Sequence, residues 1–119
     1  MTRLFSILLV VTFHFSLAWA QVTTGTVLGT VQDATGAVLP GTEVTVTHLD
    51  TGISRTIISD DEGRYLATNL SLGSFEIVAS LPGFQTEVRT GIEMTIGRRA
   101  VVNFTLTVGE ITERVTVTR

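Results

Sequence analysis

The chain of 119 residues contains no cysteine and no lysine. Without thiols it has no disulfide, no zinc–thiolate centre and no residue for lipid acylation, so a core alone must hold it together. All its bases are arginines, spread over Arg3, Arg55, Arg64, Arg89, Arg98, Arg99, Arg114 and Arg119 with one adjacent pair, and the net charge is −3. A nucleic-acid binder needs a concentrated basic footprint to displace counterions from phosphates, and none is present. Nor is there a basic amphipathic helix for a membrane surface. Histidine occurs twice, at His14 and His48, and the single tryptophan is Trp19. Imidazole, thiol and indole chemistry are therefore nearly exhausted before any motif is sought.

The first twenty residues read as a secretory leader. Met1-Thr2-Arg3 gives a positive start, Leu4 to Leu17 is an almost unbroken apolar run, and Ala18-Trp19-Ala20 places small residues where a signal peptidase cleaves. The run is short for a span, which needs roughly 20 apolar residues, and no stop-transfer flank follows. The chain is expected to be exported, with Gln21 as mature N-terminus and no transmembrane segment in the mature chain. His14 and Trp19 leave with the leader. About a hundred residues remain, enough for one domain that buries somewhat under 70% of its unfolded surface.

From Thr23 onward the sequence is rich in Thr, Val, Ile and Gly, and apolar residues recur with period two. Val27, Gly29 and Val31 share one side of a first strand, with Thr26, Leu28 and Thr30 opposite. Val44 and Val46 alternate with Thr45 and Thr47. Phe75, Ile77 and Ala79 alternate with Glu76, Val78 and Ser80. Val102, Phe104, Leu106 and Val108 are expected inward, and Ile111, Val115 and Val117 are in phase in a last strand, although Glu113 interrupts that face. Turn signals at 33–41, 50–52, 60–63, 71–73, 81–84, 96–97 and 108–110 separate the strands. Nothing after the leader reads as a helix. The expected fold is all-β, a single antiparallel Greek-key sandwich of seven to eight strands over 21–109, with 110–119 an edge strand or linker. A closed barrel is the alternative that periodicity leaves open.

The densest acid cluster is Asp60-Asp61-Glu62, closed by Gly63. Helix–loop–helix calcium sites place acids at alternate loop positions, whereas consecutive acids on an extended chain point to opposite sides. Gly63 supplies a positive φ and Asp accepts backbone N–H bonds in tight turns, so the cluster reads as a hairpin tip between "SRTIIS" and the segment bearing Tyr65 and Ala67. An adventitious surface calcium site is the alternative. Catalytic constellations are missing. His48 continues the Val44–Val46 face and reads as a packing residue at the sandwich edge, with no second ligand or orienting partner in sequence. A carboxylate pair for glycoside hydrolysis would come from Glu43, Glu76 and Glu87, but alternation puts Glu43 and Glu76 on outer faces. The triplets Asn69-Leu70-Ser71 and Asn103-Phe104-Thr105 match a glycosylation pattern that arises by chance in any Thr-rich chain. No catalytic, cofactor-binding or metal residue is assigned, and no cofactor is expected.

Two stretches, "TGTVLGTVQDATGAVLPGTEVTVTHLDTG" and "SDDEGRYLATNLSLGSFEIVASLPGFQT", resemble the carboxypeptidase regulatory-like domain, a transthyretin-like sandwich also grouped with carbohydrate-binding-like folds. The pattern falls on Gly25, Val27, Gly29, Val31, Asp33, Gly36, Pro40, Gly41, Val44 and Val46, then on Asp60, Gly63, Tyr65, Leu70, Gly73, Phe75, Ile77, Gly83 and Phe84. Every matched residue is a turn glycine, a turn acid, a turn proline or a core apolar group, so the resemblance implies fold rather than a site. A leader, this domain and then "VGEITERVTVTR" also resembles the start of a TonB-dependent outer-membrane receptor, in which a plug and barrel follow. Those parts are absent from the 119 residues, leaving a fragment of a receptor and a free-standing exported module as alternatives. Related sandwiches that carry a Lys–Asn amide cross-link are excluded, since there is no Lys. The resemblance implies a non-catalytic module in the periplasm or at the outer membrane with a protein partner. A stand-alone carbohydrate-binding module is the alternative. Sugar stacking would have to use Tyr65, Phe75, Phe84 and Phe104, which the pattern assigns mainly to the core.

Overall fold

A computed structural model describes residues 24–109. The expected leader at 1–20 and the expected edge strand or linker at 110–119 lie outside the described residues. Eight strands follow one another: β1 (Gly25–Asp33), β2 (Glu43–His48), β3 (Ser54–Ile58), β4 (Arg64–Leu70), β5 (Gly73–Ser80), β6 (Glu87–Met94), β7 (Arg99–Val101) and β8 (Phe104–Leu106). They form two four-stranded sheets. In the first, β1 is central, with β4 on one side and β7 and β8 on the other; in the second the order is β3-β2-β5-β6. The fold is the expected all-β sandwich, and no described helix is long and apolar enough to cross a membrane.

Alternation decides what lies between the sheets. Val27 and Val31 of β1, Val44 and Val46 of β2, Tyr65 and Ala67 of β4, and Phe75, Ile77 and Ala79 of β5 are all buried, as period two requires. Ala100, Val102, Phe104 and Leu106 close the core, with Met94 from β6. Burying each large apolar side chain stabilises the fold by roughly 1.5–3 kcal/mol, the main force available to a chain without disulfides. Gly29 occupies an inward position in β1 because nothing larger fits: a Cβ there would overlap the Val102 carbonyl oxygen. Tyr65 donates its phenolic hydrogen to that same carbonyl, and its ring lies 6.2 Å from Phe104.

The structure departs from the sequence reading at four points. The first concerns "DDEG". The turn is real, but β3 pairs with β2 while β4 pairs with β1, so it carries the chain from one sheet to the other and is not a hairpin tip. Local turn chemistry is the same in both cases, and only pairing across the fold separates them. Second, the strand expected through Val102 to Val108 is broken. The chain leaves β7, bends at Val102 and Asn103, and re-enters as β8; Asn103 Oδ1 accepts the Thr30 amide at 2.9 Å where the ladder is interrupted. Val108, expected inward, is 77% exposed beyond the end of β8. Third, β1 runs parallel to β7 and β8, whereas every other strand pair is antiparallel. Fourth, β6 is a strand that alternation does not single out. Its register against β5 shifts between Phe75 and Ile77, and Gly91 takes a φ of 75° in the resulting bulge, so the period-two pattern loses phase midway.

Candidate functional site

Asp60 Oδ1 accepts the amides of Glu62 and Arg64, both at 2.9 Å, and the Gly63 amide donates to the Asp60 carbonyl at 2.8 Å. The Arg64 and Glu62 amides, with the Arg64 guanidinium beside them, hold the Asp60 carboxyl below its ordinary value. Asp33 is built alike: the Thr35 hydroxyl and amide and the Ala37 amide converge on Oδ1 and lower its pKa. Glu62 is tied to the Arg64 guanidinium. Of the three adjacent acids, Asp60 is thus spent on backbone and Glu62 on one arginine, while the Asp61 carboxyl makes neither bond. Among the described residues no three His, Cys, Asp or Glu side chains gather as a metal site.

His48 is buried at the end of β2. Its Nε2 lies 2.8 Å from the Leu72 carbonyl and its Nδ1 lies 2.9 Å from Thr51 Oγ1. A carbonyl only accepts, so Nε2 carries the proton. The Thr51–His48 contact has the length of a nucleophile–base pair, but the third partner is a neutral carbonyl, not a carboxylate that would stabilise an imidazolium. Thr51 also accepts the Ile53 amide at 3.2 Å, which makes it part of the turn it sits in. His48 packs edge-on against Phe75 with centroids 4.9 Å apart. It clasps the 49–52 turn to the loop entering β5, the packing role expected from sequence.

The carboxylates do not pair. Glu43 and Glu76 both face outward on the second sheet, but Glu76 stands opposite Thr47, four residues along β2 from Glu43 and hence about 13 Å away. Glu87 is on the other face and bonds to Arg89 at 3.2 Å. Arg89 in turn lies over the Phe104 ring, 4.9 Å from its centroid, and caps one end of the core.

Where β3 and β4 diverge into separate sheets they leave a groove of about 180 Å³, which no local pattern in the chain signals. His48, Thr51, Arg55, Asn69, Ser71 and Phe75 contribute to its walls. Arg55 reaches across the gap and donates to the Thr68 carbonyl at 2.7 Å, tying one sheet to the other. Asn69, with φ of 57°, is the one described non-glycine residue in the left-handed region. Hydroxyls, an amide, one guanidinium and an imidazole whose two nitrogens are already bonded to Thr51 and Leu72 could hold a small polar molecule. Tyr65, Phe75 and Phe104 are buried and Phe84 packs against the core, so no described aromatic ring is offered flat to solvent.

The model of the carboxypeptidase regulatory-like domain matches residues 26–107. The chain belongs to that family. No curated relative matches the sequence. Among solved structures, the TIE protein of Bacillus anthracis aligns with a TM-score of 0.62 at 19% identity, over 72% of this chain and 17% of that one. Catechol 1,2-dioxygenase of Acinetobacter radioresistens gives a TM-score of 0.62 at 15% identity, over 82% of this chain and 57% of its own. A Bacteroides uniformis protein described provisionally as carbohydrate-binding gives 0.56 at 15% identity, over 69% and 40%. At these identities the likeness is one of fold. The regulatory-like chain spans about a sixth of the first of these proteins and under three fifths of the others.

Proposed function

We propose that the protein is a non-catalytic accessory domain that works by protein contact in the periplasm or at the outer membrane, as the N-terminal module of a TonB-dependent receptor-like protein does. One observation carries this reading. The side chains with chemistry to offer, Asp33, Asp60, His48 and Tyr65, are all spent on turns, clasps and the core, which leaves sheet faces and edges to act. Family membership, the leader pattern and the "VGEITERVTVTR" ending support the receptor context. The test is to fractionate the native host, take the intact mass of the protein, and sequence the locus through its stop codon. Export, with cleavage before Gln21 and a plug and barrel in frame, is the expected result. A cytoplasmic protein that keeps its leader would sink the proposal.

A second reading, a carbohydrate-binding module, draws on the polar groove beside Arg55 and Asn69. The buried rings weigh against it, because sugar faces are ordinarily held by stacking. A glycan array with no signal above background would dispose of it.

A further inference from the structure

Backbone pairing leaves one sheet edge open. The His48 amide donates to the Ile53 carbonyl at 2.8 Å and the Ser59 amide to the Thr42 carbonyl at 2.9 Å, one at each end of the β2–β3 ladder. Alternate residues of an antiparallel strand bond to the same neighbour. Arg55 and Ile57 therefore also face β2, while Ser54, Thr56 and Ile58 turn their amides and carbonyls away from it. No hydrogen bond of the described residues uses those groups. The other free edges are blunted. Strand β6 carries a bulge and the charges of Glu87, Arg89 and Glu93, and β7 and β8 are three residues each, split by a bend. On β4 the Arg64 and Thr68 carbonyls are taken by the Asp60 amide and by Arg55. Strand β3 has no proline, bulge or acid, and Ile53 just before it and Ile58 at its end are 69% and 53% exposed.

The side of β3 turned towards the first sheet reads Ile53, Arg55, Ile57, with Arg55 and Ile57 in register with the buried Val46 and Val44. Arg55 uses one of its five N–H donors on the Thr68 carbonyl and has no acid partner among the described residues. Residues 110–119, outside the described part, carry the complementary pattern. In an extended chain Ile111, Glu113 and Val115 share one face, where Glu113 interrupts an otherwise apolar row. We infer that this segment of a second copy adds to the free edge of β3 as a fifth strand, with Glu113 beside Arg55. In either direction, the register that pairs these charges sets Ile111 and Val115 beside Ile53 and Ile57. Its backbone then meets the open groups of Ser54, Thr56 and Ile58. The two charges, each out of place on an apolar face, account for one another.

The chain's own tail falls short of this site. Gly109 is bonded to the Gly83 carbonyl, past the end of β5. A strand added beside β3 lies three strand spacings from β5, about 14 Å, and Arg55 stands about 10 Å back along the sheet from Ile58. The four residues from Gly109 to Glu113 span at most about 14 Å, against the roughly 17 Å these offsets require. The donor is therefore another copy. The contact is heterologous, so it continues from copy to copy. One added strand buries less than the ~1,200 Å² of a tight complex, so the association is weak. The inference rests on the reading that the domain acts by protein contact, and it names the partner.

The test uses the 119-residue chain, expressed with its leader and purified as the host processes it. Sedimentation should show association that grows with concentration up to about 1 mM, the range expected of so small an interface. Over that range amide exchange at Ser54, Thr56 and Ile58 should slow at least about tenfold, while Arg55 and Ile57, already bonded to β2, change little. Glu113→Arg and Arg55→Glu should each lower the association constant at least about tenfold, and an equimolar mixture of the two should restore it, since each offers the other an opposite charge. Glu113→Arg touches no described contact and should keep the parent's melting temperature, so it decides the matter alone if Arg55→Glu proves unfolded. A monomer throughout the range would overturn the inference, as would association that Glu113→Arg leaves unchanged. Protection of Ser54, Thr56 and Ile58 that ignores concentration would also overturn it, by placing the chain's own tail on the edge. Each of these failures leaves the accessory reading intact, since that is decided by fractionation and the locus.

Discussion

Tyr65 shows how one side chain meets two needs at once. Its ring fills the core and its hydroxyl satisfies the Val102 carbonyl, which is left over where the chain breaks between β7 and β8. Burial pushes the phenol well above its ordinary value, with Arg89 pulling weakly the other way. Above the ordinary tyrosine pKa of about 10 the unfolded chain loses this proton and the folded one keeps it, so stability falls as pH rises through that range. Tyr65→Phe should flatten that alkaline limb in a plot of melting temperature against pH, and destabilise the protein at pH 7 by about 1–3 kcal/mol because the carbonyl is left unpaired. Asp33 and Asp60 have the opposite sign. Their pKa values are lowered in the fold, so their contribution is present above about pH 4 and is lost as pH falls through the folded values. Asp60→Asn should therefore shift the acid unfolding midpoint, and Asp61→Ala, whose carboxyl holds no such turn, should leave it where it was.

At the scale of the element, the strands were largely legible and their partners were not. Period two grouped Val27 with Val31, Val44 with Val46, Tyr65 with Ala67 and Phe75 with Ile77 on shared faces that are buried, and placed Phe104 and Leu106 inward, because a pleated strand with one buried face leaves that record in the sequence. The record fails where geometry departs from the pleat. Gly91 throws β6 out of phase, and the bend at Val102 and Asn103 splits the β7–β8 segment. The turn at Asp60 was legible as a turn, but whether it closes a hairpin depends on which strands β3 and β4 choose across the fold. Likewise the groove at Arg55 exists because those two strands part, which no local pattern encodes. The two glycines that matter for packing can be separated by experiment. Gly29→Ala meets only a steric barrier, the Val102 carbonyl, whereas Gly63→Ala meets both a positive φ and a Val31 carbonyl oxygen 2.6 Å from the new Cβ. Each should cost about 2–3 kcal/mol in denaturant midpoints, within the range of steric and backbone strain. A D-alanine at 63, made by ligation, should recover part of the loss, and a D-alanine at 29 should recover none by relief of backbone strain.

For the whole molecule, the decisive feature is that β1 is completed from the far end of the chain. It pairs with β4 on one side and with β7 and β8 on the other, and Thr30 bonds to Asn103 across 73 residues of sequence. The last two strands also deliver Ala100, Val102, Phe104 and Leu106, so the core cannot close until they arrive. Strand pairings so distant in sequence make folding slow relative to helical domains of this size. They also make it cooperative, because no subset of strands buries its own faces. A chain ending at Thr95 keeps six of the eight strands yet exposes one flank of β1 and loses four of the fifteen core residues. It should show no cooperative melting transition and little amide protection. Phe104→Ala in the complete chain should keep a single transition shifted by about 3–5 kcal/mol, the loss expected from a cavity at a fully buried ring. Retention of a sharp transition by the chain ending at Thr95 would mean that the β3-β2-β5-β6 sheet folds without its partner, and that the sandwich is two units rather than one.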